Sequence, residues 1–126
     1  TKETVSENTP TVLDKVNISP ETVSILKSAM RQVVVDGTAK NVFDNYPFEI
    51  GGKTGTAEKL PRGENKNVVS FIGYAPQDNP EIVVYVVIDE PNVPNQARCS
   101  NQISQLAADI MKEAFPYLNI TKASAE

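Results

Sequence analysis

The sequence predicts an α/β fold: a helix, three antiparallel strands, and a helix packed on one face of them. Three observations carry that expectation. Behind Ser19-Pro20-Glu21, the apolar residues Val23, Leu26, Met30 and Val33 or Val34 recur at helical spacing. Three strand-length segments follow, Glu49–Glu58, Asn67–Tyr74 and Glu81–Ile88, joined by short connections rich in Pro, Gly and Asn. Helical spacing then returns with Ile103, Leu106, Ala107, Ile110 and Ala114, ahead of Pro116.

Taken in order, residues 1–18 are polar, Thr-rich and interrupted by Pro10, which suits an extended lead-in. The first residues, Thr1-Lys2-Glu3-Thr4-Val5, have neither an initiator Met nor a basic-then-apolar leader, and read as a cut into a longer chain. Ser19 is a good N-cap, Pro20 suits the first helical position and Glu21 favours the positive end of the helix dipole. Asp36-Gly37 supplies the stop. Thr38–Phe43 reads as a second short helix, broken by Asn45-Tyr46-Pro47. The third strand is apolar at nearly every position, the pattern of a strand covered on both faces. Past Glu90-Pro91-Asn92-Val93-Pro94, the last helix is expected over about Asn95–Phe115, with residues 121–126 as a tail.

Composition narrows the functional classes. The chain has 126 residues, 40% apolar and 22% charged, an ordinary globular balance that sets aside disorder and disulfide scaffolds. Its net charge of -4 is the wrong sign for a general nucleic-acid binder. There is no His and one Cys, Cys99, so this chain alone makes no Ser-His-Asp triad, Cys-His pair or zinc finger. No apolar run approaches a membrane span; the longest, Ile82–Ile88, has strand length.

The segment with chemical promise is Gly51-Gly52-Lys53-Thr54-Gly55-Thr56-Ala57-Glu58. Strands seldom contain glycine, so three in five residues suggest a strand approached closely by something else. Lys53 brings positive charge, Thr54 and Thr56 bring hydroxyls, and the glycines uncover backbone N–H groups. Such a strip suits a carboxylate and an oxyanion. The residues leave a second reading open, an edge strand guarded by a lysine with threonines facing solvent. A phosphate loop fails: Pro47 stands where its first glycine belongs, and no helix follows Thr54 directly.

Lys53-Thr54-Gly55 is also one of three signatures of β-lactamases and penicillin-binding proteins. Around it lie Val34-Val35-Asp36-Gly37-Thr38-Ala39, Ser70-Phe71-Ile72-Gly73-Tyr74-Ala75-Pro76 and Val86-Val87-Ile88-Asp89-Glu90-Pro91. With these blocks in order, the chain resembles the C-terminal part of the transpeptidase domain of a class B penicillin-binding protein, from about Lys15 to Ile120. The resemblance implies a piece of the serine β-lactamase/transpeptidase-like fold, in which the whole sheet has five strands and two come from upstream. It implies acyl transfer from a peptidoglycan stem peptide through a serine acyl-enzyme, and acylation of that serine by β-lactams. Lys53 would set the electrostatics of the site. The hydroxyls of Thr54 and Thr56, with Gly55 between them, would hold the terminal carboxylate, and the Thr56 backbone N–H would donate to the oxyanion. No metal or organic cofactor is implied. The implied location is the outer face of a bacterial cytoplasmic membrane, with the anchor outside this chain.

The chain departs from the family at the nucleophile. Ser24-Ile25-Leu26-Lys27 and Ser6-Glu7-Asn8 match the S-x-x-K and S-x-N strings, yet their order is reversed and both lie too near Lys53. Ser24 also falls inside an amphipathic helix, past the N-cap, with nothing to activate it. The serine and its base are therefore expected elsewhere in the protein, and the isolated chain is expected to be inactive. A D,D-carboxypeptidase, a serine β-lactamase or a non-catalytic binding module are the alternatives. In the family the third strand pairs on its far side with an upstream strand. Without that partner the chain is expected to be complemented by another polypeptide or to self-associate.

The remaining candidates have simpler explanations. Cys99 is expected to be a small packing residue. Glu58–Asn67 reads as a solvated hairpin connection, and Asp89-Glu90 as a turn. Asn17-Ile18-Ser19 and Asn119-Ile120-Thr121 match the glycosylation string, which has no meaning in a bacterial protein.

Overall fold

The structure, a computed structural model, describes residues 9–120. Ser6-Glu7-Asn8 and the tail, 121–126, therefore lie outside the described residues. Residues 9–19 carry no helix or strand. Helix α1 spans Pro20–Val35, and the Ser19 hydroxyl accepts the Thr22 N–H at 3.2 Å to cap it. Helix α2 covers Lys40–Phe43, two residues shorter at its start than expected, because Thr38 and Ala39 form a turn. Strands β1 (Gly51–Glu58), β2 (Asn67–Ala75) and β3 (Ile82–Asp89) form one antiparallel sheet in the order β1-β2-β3. Each expected strand is present, with ends shifted by a residue or two.

The last helix is where the sequence expectation shifts most. A 3-10 turn at Gln96–Arg98 precedes α3, which covers Ser100–Ala114, and another 3-10 turn, Phe115–Leu118, follows. Pro116 explains the change of geometry, since it has no N–H to continue the α-helical ladder. The expected stripe is also rotated. Ile103 and Ala107 are buried as expected, but Leu106 and Ile110 are each 43% exposed, and Ser104, Ala108 and Met111 face the sheet instead. Small residues at 104, 107 and 108 let the helix backbone approach β2 closely. The Met111 methyl then fills the space over Gly73, where a Cβ would lie 2.6 Å from it.

The core lies between α3 and one face of the sheet. Phe71, Phe115, Ile50, Ile103, Met111 and Val69 are its largest fully buried apolar side chains. Phe43 stacks on Phe71 with centroids 5.3 Å apart, and Phe48 meets Phe115 edge-on at 4.6 Å. Such aromatic pairs add about 0.5–1.5 kcal/mol each beyond their burial. Cys99 is buried and its thiol faces the Gln96 carbonyl, as a packing residue should.

Two expectations about burial are corrected. The third strand is not covered on both faces: Val83 and Tyr85 are each 62% exposed and Val87 46%, while Ile82, Val84, Val86 and Ile88 pack against the core. Nor is the α1 stripe covered along its length. Val34 is buried, but Val23 and Leu26 are exposed: α1 packs chiefly against β1, and its middle meets the end of β2 only through polar bonds, the Lys27 carbonyl accepting from Tyr74 and Gln77. Among the described residues no helix is long and apolar enough to cross a membrane.

Candidate functional site

Among the described residues strand β1 pairs with β2 alone, matching Lys53 to Ile72, Thr54 to Phe71, Gly55 to Ser70 and Thr56 to Val69. Alternate N–H and C=O groups of an unflanked antiparallel strand point away from the sheet, so this edge presents them to a ligand. Pleating sends Lys53 and Gly55 to one face and Thr54 and Thr56 to the other. Lys53 and Thr56 are exposed, and Thr54 and Gly55 are partly so. The four residues singled out from the sequence thus stand together on one open edge.

Local contacts hold that edge in place from its N-terminal side. The Arg31 guanidinium donates to the Ile50 carbonyl at 3.1 Å. The Thr54 hydroxyl lies 2.9 Å from the Thr38 hydroxyl, so the turn after α1 orients a side chain of the strip. Thr38 was not among the sequence candidates, although it lies in one of the quoted blocks; nothing local told it apart from an ordinary turn residue. The Lys53 ammonium donates to the Thr54 carbonyl at 2.6 Å and lies 3.4 Å from the Thr54 hydroxyl. Positive charge and hydroxyl are therefore already side by side.

The glycines are partly explained from within the chain. A Cβ at Gly52 would meet the Phe71 ring at 2.5 Å, and one at Gly55 would meet the Ser70 hydroxyl at 2.5 Å. The close approach inferred from the sequence thus includes β2 itself. Beyond Thr56 the strand is exposed through Ala57 and Glu58.

The other motif strings behave as accidents or as structure. Ser24 is exposed on α1, and Lys27 three residues on donates to the Asp78 carbonyl rather than to Ser24. Asp89 and Glu90 are held by Lys59, whose ammonium lies 2.9 Å and 2.8 Å from them. Hydrogen bonds from Lys59 to Glu90 and Asp89 raise its pKa above the ordinary lysine value. Two open hollows, of about 600 and 550 Å³, lie on the outer side of α3 over Leu106 and over Ile110 and Tyr117. They are remote in sequence and element from β1, and the carboxylates that line them, Asp109 and Glu113, have no serine or threonine beside them.

Comparison with known proteins agrees with the fold. The chain is 39% identical over 123 residues to stage V sporulation protein D of Bacillus subtilis, covering 95% of this chain and 19% of that protein. It is 32% identical over 116 residues to the peptidoglycan D,D-transpeptidase FtsI homolog of Chlorokybus atmophyticus, covering 82% of this chain and 17% of that one. Among solved structures, the apo transpeptidase domain of Burkholderia pseudomallei penicillin-binding protein 3 superposes with a TM-score of 0.71 at 29% identity. That match covers 85% of this chain and 33% of the domain. The chain thus spans under a fifth of these curated relatives and a third of the solved domain. The family model for the penicillin binding protein transpeptidase domain matches residues 1–114, and the chain belongs to that family.

Proposed function

We propose that residues 19–120 are the C-terminal portion of a peptidoglycan D,D-transpeptidase domain, and that Lys53-Thr54-Gly55-Thr56 is its strip for stem peptide and penicillin. One observation carries the reading: a lysine, two threonines and a side-chain-free glycine share the unflanked edge of a sheet in a transpeptidase-family chain. The terminal carboxylate of a D-Ala-D-Ala stem peptide, or of a β-lactam, rests on the Thr54 and Thr56 hydroxyls. Lys53 supplies the balancing charge. The Thr56 N–H donates to the substrate carbonyl oxygen as it becomes an oxyanion, an interaction worth about 2.7–4 kcal/mol in the transition state.

The serine and its base belong to the remainder of the domain. The serine oxygen attacks the penultimate D-Ala carbonyl and gives its proton to the base. The C–N bond to the terminal D-Ala breaks, and that amine leaves protonated. An acceptor amine from a second stem peptide then attacks the ester, forms the cross-link and frees the serine. In a β-lactam the same C–N cleavage opens the ring, so the leaving amine stays attached. The exposed sheet face supports this division of labour: Lys53, Ile72 and Tyr85 are register neighbours on it, so a segment seated there arrives beside the lysine. The unpaired edge of β3 suits the upstream strands. The site faces the cell exterior, and the membrane anchor belongs to another part of the protein.

Labelled penicillin tests the assignment. In the full-length protein, Lys53→Ala should slow acylation by about a hundredfold or more while leaving the melting temperature unchanged. Normal acylation in that variant would make Lys53 an edge guard. The isolated chain should take up no label, and an adduct mapped to Ser24 would place the nucleophile here and overturn the reading.

A further inference from the structure

In the C-terminal half of β1, Thr56, Ala57 and Glu58 are all exposed, and among the described residues the strand is paired on its β2 side alone. Just beyond it, however, the roots of the β1–β2 loop are tied to a distant segment, the connection from β3 to α3. The Asn65 side chain donates to the Pro94 carbonyl at 3.1 Å and accepts the Gln96 N–H at 3.2 Å. The Gln96 side chain in turn accepts the Asn67 N–H at 2.7 Å. The Asn67 carbonyl accepts the Glu90 N–H at 3.0 Å, and Lys59 reaches both Asp89 and Glu90.

The arrangement is reciprocal and specific. Asn65 uses both ends of its amide, and Gln96 engages through both its backbone and its side chain. Both sides of the junction also include a residue with left-handed backbone, Asn65 at φ 56° and Glu90 at φ 47°. For a glutamate that conformation costs on the order of 1–2 kcal/mol, and it persists where surrounding contacts impose it. A loop with only solvent to satisfy would relax instead. On the strap side, Val93 packs against the core, so the anchor is a fixed one.

We infer that Asn65 and Gln96 are positioning residues: they latch the β1–β2 loop to the 90–96 strap and so fix the Thr56 backbone for oxyanion donation. The coupling path is short. Asn67 pairs with Glu58, two residues from Thr56, and its N–H is the group that Gln96 holds. Releasing Gln96 loosens the root of β2 on its β3 side, which leaves the Lys59 N–H to the Lys66 carbonyl at 2.8 Å as the one closing rung between β1 and β2, and the exposed strand frays towards Thr56. This inference rests on the transpeptidase reading for its chemistry, whereas the latch itself is a claim about strand order.

The test uses the full-length protein, labelled penicillin and amide hydrogen exchange. Gln96→Ala and Asn65→Gly, the latter keeping a left-handed backbone accessible, should each lower the second-order acylation rate about two- to tenfold. Exchange at Gly55 and Ala57, whose N–H groups pair with β2 on either side of Thr56, should speed up in both. Gln96→Glu keeps an acceptor for the Asn67 N–H and should restore the rate. Equal acylation and equal exchange in wild type and Gln96→Ala would overturn the latch, as would a Gln96→Glu variant as slow as Gln96→Ala. Should wild-type protein take no label, the transpeptidase reading falls, and exchange alone decides the latch: faster exchange at Ala57 in Gln96→Ala upholds it and unchanged exchange overturns it.

Discussion

Along β3 the two faces of the sheet are equally apolar and differently treated. Ile82, Val84, Val86 and Ile88 pack under α3, while Val83, Tyr85 and Val87, with Ile72 beside them on β2, stand exposed. Burial, then, is a matter of what crosses over a strand and not of what the strand contains. A contiguous exposed apolar face of this kind marks a contact surface. Its position next to Lys53 is why we assign it to the remainder of the transpeptidase domain.

The contrast is sharpest where stability is measured. In this chain Phe71→Ala should cost about 3–5 kcal/mol, because it empties the centre of the covered face. Tyr85→Thr on the bare face should stay within about 0.5 kcal/mol. Urea denaturation of both variants checks this, and comparable losses would mean the bare face is covered after all. In the full-length protein the Tyr85 substitution should become costly, by about 1–3 kcal/mol, once a neighbouring segment packs there.

Association probes the same face and its open edge. Ile82–Ile88 is β-branched at most positions and unpaired on one side, so the isolated chain should form larger species as concentration rises. Light scattering should detect them, and Val83→Lys with Val87→Lys should suppress them. A monomer at high concentration with unaltered sequence would argue that neither face nor edge is adhesive.

Tyr46 offers a smaller effect on the covered side. Its hydroxyl donates to the Ala108 carbonyl at 2.7 Å, joining the segment before β1 to α3. Tyr46→Phe should cost about 0.5–1.5 kcal/mol. Burial first, and the Asp109 carboxylate second, push the Tyr46 phenol well above its ordinary value of 10. The unfolded chain therefore ionises earlier, so this contribution is intact below about pH 10 and lost as pH rises beyond it. Burial raises Tyr74 in the same direction, so Tyr46→Phe should remove only part of the alkaline loss seen by circular dichroism. An alkaline profile unchanged by Tyr46→Phe would deny the buried phenol that role.

The sequence by itself determined the element order, the cap at Ser19, the three strands and the Lys53–Thr56 strip, because each of these is written in neighbouring residues. Helix caps and strand lengths are local, and a Lys-Thr-Gly run inside a strand is unusual wherever it lands. What depended on distant partners was legible only in three dimensions. Leu106 and Ile110 were expected inside and lie outside, since the close fit of Ser104, Ala107 and Ala108 over Gly73 set the rotation of α3. Val83, Tyr85 and Val87 look like core in the sequence, but coverage requires a second layer that period and composition do not specify. The contact of Thr38 with Thr54 and the Asn65–Gln96 latch join residues 16 and 31 positions apart. Nothing in either member of such a pair announces the other; the antiparallel register and the packing of α3 bring them together, because hydrogen bonds of this length form only once the backbone has placed both ends.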